Sequence, residues 1–149
     1  MKKIIKIYNK KKDNRTIYRG LSNFYPARYV EKTIGLFEIF KYLKNNNIQG
    51  DIVECGVGRG VSIFKMGKIS TILEMNKNIY GYDSFEGFPE PNIKDSSFRN
   101  PKKGDWSDTS IKHVTDHFSE SELLNNFFIK YVFLVKGFFD KTLPISNHK

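Results

Sequence analysis

The ten residues Asp51-Ile-Val-Glu-Cys-Gly-Val-Gly-Arg-Gly60 constrain this chain more than any other stretch, because a short apolar run passes directly into a turn with glycine at every second position. Glycine lets such a turn take positive φ and lets a ligand approach where a Cβ would collide. Beyond Gly60 the pattern is helical to about Met75, with Ile63, Phe64, Ile69, Ile72 and Leu73 available to face a sheet. A second strand, Ile79 to Tyr82, follows and ends on Asp83. Strand, glycine turn, helix, strand and acid make a βαβ unit, so the expected class is α/β with parallel strands.

The flanking segments fit that frame. Ile34, Phe37, Phe40 and Leu43 recur at helical spacing between Glu31 and Lys44, and Asn45 to Asn47 end the run. Residues 84–107 hold Gly87, Pro89, Pro91, Pro101 and Gly104 with little periodicity, and a loop of that length is a candidate lid. One broken helix or two short ones are expected over Asp108 to Phe118 and Ser119 to Phe128, with Asp108 and Ser119 as N-caps and Glu122 completing a capping box. A third strand is expected at Tyr131 to Val135.

Charge narrows the partners. The formal net charge is +9, but residues 1 to 15 carry seven basic side chains against Asp13 and so hold six of those nine charges. A basic arm, residues 1–19, on a nearly balanced remainder argues against a nucleic-acid protein, for which a basic face is the usual footprint. No apolar run approaches the roughly 18 residues of a membrane span and none forms a signal-peptide core, so the chain is expected to be cytoplasmic. The single cysteine, Cys55, is expected to be a small buried residue. Of the three histidines, His113 and His117 lie four apart on one expected helix, but without a third ligand nearby they do not make a metal site.

The chemistry of the turn points to a nucleoside. The glycine spacing is G-x-G-x-G, whereas the dinucleotide fingerprint is G-x-G-x-x-G. Glu54 would stand unfavourably beside a pyrophosphate but would receive an ammonium group. Asp83 lies 23 residues beyond Gly60, near the offset of roughly 20 at which an acid ending the second strand takes ribose hydroxyls. A ligand with a positive centre, a ribose and no phosphate meets these conditions, and S-adenosylmethionine is such a molecule. An NAD(P)-binding half-domain and a non-catalytic nucleic-acid module using the basic arm are the competing readings.

Three motifs in order, Asp51 to Gly60, Tyr80-Gly-Tyr-Asp-Ser-Phe-Glu-Gly-Phe-Pro89 and Val135-Lys-Gly-Phe-Phe-Asp-Lys-Thr-Leu-Pro144, resemble the TylF-type macrocin O-methyltransferase family over about residues 20 to 144. The resemblance implies a Rossmann-like class I methyltransferase fold and transfer of a methyl group from S-adenosylmethionine to a hydroxyl, on a sugar or natural product. It implies that Glu54, Gly56 and Gly58 line the methionine end of the cofactor, with Val57 and Gly60 in the same turn, and that Asp83 binds the ribose. Ser84 and Phe85 would flank the adenosine, Gly137 and Phe138 would lie near the adenine, and Phe24 to Tyr29, Asp105 and Trp106 would belong to the lid and acceptor side.

Members of the family continue into a fourth strand with an Asp-rich motif that holds magnesium and supplies the catalytic base. Neither the base nor the magnesium ligands has a counterpart in this sequence. The expectation is therefore a cofactor-binding part, residues 20–149, truncated to three strands in the order 3-2-1. The unpaired inner edge of its first strand would favour self-association or a companion C-terminal chain.

Overall fold

A computed structural model describes residues 27–119 and 121–145. The basic arm and Phe24 to Pro26 lie outside the described residues. The chain falls into two compact units, Met1–Ile39 and Phe40–Lys149.

Helix α1 spans Ala27–Asn45 and so crosses that division. It begins four residues before the expected Glu31, since Ala27 and Arg28 are good helix formers and nothing in them stops the helix. The asparagine run ends it with a left-handed residue: Asn47 has φ 49°, its N–H bonds to Lys44 O at 3.1 Å, and the Ile48 N–H reaches Leu43 O at 3.0 Å. This is the paired bonding of a Schellman cap, with asparagine where glycine is commoner. Of the expected apolar stripe, Phe40 is buried and Phe37 and Leu43 are half-buried, while Ile34 is exposed.

Three parallel strands form one sheet in the order β1-β2-β3: β1 is Ile52–Cys55, β2 Ile79–Asp83 and β3 Val132–Lys136. This is the expected 3-2-1 arrangement, and the outer edge of β1 carries no strand among the described residues. Register pairs Glu54 with Gly81 and Gly81 with Leu134, so alternation places Ile52, Glu54, Ile79, Gly81, Asp83, Val132 and Leu134 on one face.

Helix α2, Val61–Ile72, covers that face. This helix and the turn before it come so close that a Cβ on Gly81 would collide with Ile63 Cδ1 and Val57 Cγ2, which explains a glycine in the middle of a buried strand. Helices α3, Ile111–Phe118, and α4, Glu122–Tyr131, pack against α2. Ile63, Ile69, Ile79, Val114, Phe118, Leu124, Phe127 and Val132 make the core between these helices and the sheet.

The other face is covered only in part among the described residues: Tyr82 is buried and Val135 half-buried. Tyr80 stacks on Phe133 with centroids 5.0 Å apart, and Val53, Cys55 and Phe133 are exposed; α5, Phe139–Thr142, packs against β2. Cys55 is thus not buried as expected, because alternation with Glu54 sends it to the face opposite α2. Ile72, expected against the sheet, is 67% exposed, since the buried stripe of α2 runs through Ile63, Met66, Gly67, Ile69 and Ser70 and passes it by.

Two helix starts also differ from expectation. Ser110, not Asp108, caps α3 by accepting the His113 N–H at 3.0 Å, and Ser121, not Ser119, caps α4 by accepting the Leu124 N–H at 3.2 Å. Ser119 instead closes α3 and donates its hydroxyl to Asp116 O at 2.7 Å, so the expected box with Glu122 does not form. Strand β3 begins at Val132, one residue late, because Tyr131 stays helical with its ring against Phe127 at 5.0 Å.

Loop 84–107 is more ordered than its composition implies. Phe88 and Gly104 to Asp105 close its neck: the Phe88 N–H reaches Asp105 O at 3.0 Å and the Gly104 N–H reaches Phe88 O at 2.9 Å. Toward the tip a single 3-10 turn, Ile93–Asp95, is held by a box in which Asn92 accepts the Lys94 N–H and Asp95 accepts the Asn92 N–H.

Candidate cofactor site

The carboxyl ends of the three strands bring the candidate residues together, the position at which open α/β sheets bind ligands. Leaving β1, the Gly56 N–H still bonds to Tyr82 O at 2.8 Å, and the chain then turns through Gly58 and Gly60 at φ 54° and 81°. Nothing lies within 4 Å of where a Cβ on Gly56 or Gly58 would stand, so the turn is open at both positions. Gly60 serves packing instead: a Cβ there would be 2.7 Å from Val114 Cγ1. Val57 is buried with its side chain towards Gly81, and it contributes to the turn through its carbonyl, which accepts the Gly60 N–H at 3.0 Å.

Asp83 ties the end of β2 to this turn. Its Oδ2 accepts the Gly58 N–H at 2.8 Å and its Oδ1 accepts the Phe85 N–H at 2.7 Å. The Asp83 carbonyl accepts the Gly137 N–H at 2.9 Å, which joins the end of β3 to the same place. Ser84 turns the chain by donating to Gly87 O at 2.7 Å, and Phe85 is buried with φ 53°. Lys136 and Glu86 pair at 2.9 Å across the strand ends. Phe138 stands partly exposed before α5, and its carbonyl accepts the Lys141 N–H at 3.0 Å. Trp106 sits beside the loop neck, exposed, with its ring 5.1 Å from Phe88.

Glu54 lies on the covered face beside the start of α2. The Ser62 hydroxyl donates to its Oε1, while Oε2 is buried with no hydrogen-bond partner. Burial pushes the Glu54 carboxyl above the ordinary carboxylate range; the Ser62 hydrogen bond pulls it down and the negative charge of Asp83 adds to the rise.

Sequence reasoning missed a brace on the far side of the turn. Thr109 donates its hydroxyl to Gly58 O, His117 Nε2 donates to Arg59 O at 3.0 Å, and Arg59 pairs with Asp108. The guanidinium holds the exposed Asp108 carboxyl below its usual range. These partners lie 49 to 58 residues from the turn, so no local pattern marks them. Among the described residues no group of three or more His, Cys, Asp or Glu side chains could hold a metal ion. No helix among them is long and apolar enough to cross a membrane.

The fold is that of the class I methyltransferases. The calicheamicin methyltransferase CalS11 superposes with a TM-score of 0.66 at 18% identity over 96% of this chain and 58% of its own. The O-methyltransferase NovP superposes with a TM-score of 0.63 at 24% identity over 80% of this chain and 50% of its own. The chain thus spans about half the length of these solved structures. The Macrocin-O-methyltransferase (TylF) family pattern matches residues 32–149, and the chain belongs to that family. No curated protein matches it.

Proposed function

We propose that this chain forms the cofactor-binding part of an S-adenosylmethionine-dependent O-methyltransferase whose acceptor is a hydroxyl of a small molecule, a sugar or sugar-bearing natural product. One observation carries the reading: Glu54 keeps a buried carboxylate oxygen without a partner beside an open glycine turn. A buried acceptor in that state costs free energy until a donor arrives. The α-ammonium group of an amino-acid cofactor is a charged donor that fits it. A dinucleotide would instead bring a pyrophosphate towards that carboxylate.

When bound, the cofactor would supply an electrophilic sulfonium methyl: an O–CH3 bond would form as the S–CH3 bond breaks with its electron pair on sulfur, and the hydroxyl proton would leave to water. The chain's own residues orient it. Glu54 holds the ammonium end, Gly56 and Gly58 let the backbone lie close, and α2 presents a first turn with no side-chain cap to the carboxylate. Asp83 has each carboxylate oxygen fixed by one N–H and retains lone pairs for ribose hydroxyls. Ser84, Phe85, Gly137 and Phe138 are the proposed adenosine contacts.

Calorimetric titration with S-adenosylhomocysteine tests the proposal. Saturable one-to-one binding is expected, and a folded sample that binds NADH but not S-adenosylhomocysteine would overturn it.

A further inference from the structure

Glu54 has two unlike oxygens, and Ser62 makes them so. The serine is the second residue of α2, whose start is pinned by the Gly60 turn against Val114. Its hydroxyl occupies Oε1, and Oε2 remains the buried, unpartnered one. Glu54 forms no ion pair among the described residues. The charged group that acts on it is Asp83, at the end of the neighbouring strand; Arg59, in the turn, is paired with Asp108, and His117 of α3 is bonded to Arg59 O.

We infer that Ser62 is a positioning residue for the cofactor's amino-acid end: by bonding Oε1 it fixes the Glu54 carboxylate and leaves Oε2 to the ligand's ammonium group. The inference rests on the cofactor reading above. A carboxylate anchored at one oxygen by a neutral donor is held in one orientation, so a cation meets an oriented, unpartnered Oε2. The same hydroxyl opposes the two influences that favour a protonated Glu54, its burial and the charge of Asp83. Without Ser62 the carboxyl would gain its proton at higher pH, and a protonated carboxyl holds an ammonium only weakly.

The test compares two ligands between pH 5 and 8: S-adenosylhomocysteine, which has the amino-acid end, and 5′-methylthioadenosine, which lacks it. Ser62→Ala is expected to weaken S-adenosylhomocysteine about tenfold at pH 7, the scale of a charge-assisted hydrogen bond. It should also move the acid limb of the affinity profile to higher pH and leave 5′-methylthioadenosine unchanged. Ser62→Thr restores the hydroxyl and should recover both affinity and profile. Equal weakening of both ligands, or weakened S-adenosylhomocysteine with an unmoved acid limb, overturns the role of Ser62. The underlying reading fails separately: Glu54→Gln without effect removes Glu54 from the site, and a wild-type chain that binds neither ligand removes the site itself.

Discussion

Both carboxylate oxygens of Asp83 accept backbone N–H groups, one from the glycine turn and one from the loop that follows β2. Asp83→Asn keeps the volume but turns one acceptor into a donor that faces an N–H. The variant should lose about 1–3 kcal/mol of stability in urea titration and bind S-adenosylhomocysteine at least tenfold more weakly. Glu54 predicts the opposite sign. Its raised pKa means that the fold binds this proton more tightly than the unfolded chain, so its contribution is present in acid and lost as pH rises through the raised value. Glu54→Gln should therefore stabilise the ligand-free chain at pH 7 by on the order of 1 kcal/mol, with the gain fading towards pH 4, as thermal melts at the two pH values would report. At this scale Glu54 and Asp83 were legible because strand ends and offsets mark them. Thr109 and His117 were not, since only the packing of α3 on α2 brings them to the turn.

Elements show where apolar pattern suffices and where it does not. The strands were placed within a residue, because their length and flanking turns leave little choice. The starts of α3 and α4 were each placed early because both segments offer several capping residues, Asp108 and Ser110, then Ser119 and Ser121. The later serine won each time, beside an apolar residue that reaches the core three or four positions on: Val114 after Ser110, Leu124 after Ser121. Ser121→Ala should cost about 1 kcal/mol, whereas Ser119→Ala, removing only a bond to Asp116 O, should cost less. Gly81→Ala makes the sharper demand: its methyl group would displace Ile63 and Val57, so a loss of about 1–3 kcal/mol is expected in equilibrium unfolding.

For the molecule as a whole, the three-strand order, with no strand on the outer edge of β1 among the described residues, followed from the βαβ pattern and the family resemblance. The exposure of Val53 and Phe133 on the second sheet face did not, because nothing local says which face a helix will cover. Ligand binding should be visible at this scale through mass action. S-adenosylhomocysteine at 100 times its dissociation constant should add about 2.7 kcal/mol to unfolding, and a melting temperature indifferent to ligand would contradict a site built into the fold.

The exposure of Cys55 has a practical consequence. It is the chain's one cysteine, it points outward, and it precedes the first glycine of the turn. A maleimide dye attached there would label a single known atom on the strand that carries Glu54. Its emission should change as the turn fills, reporting occupancy in real time with no substitution in the protein.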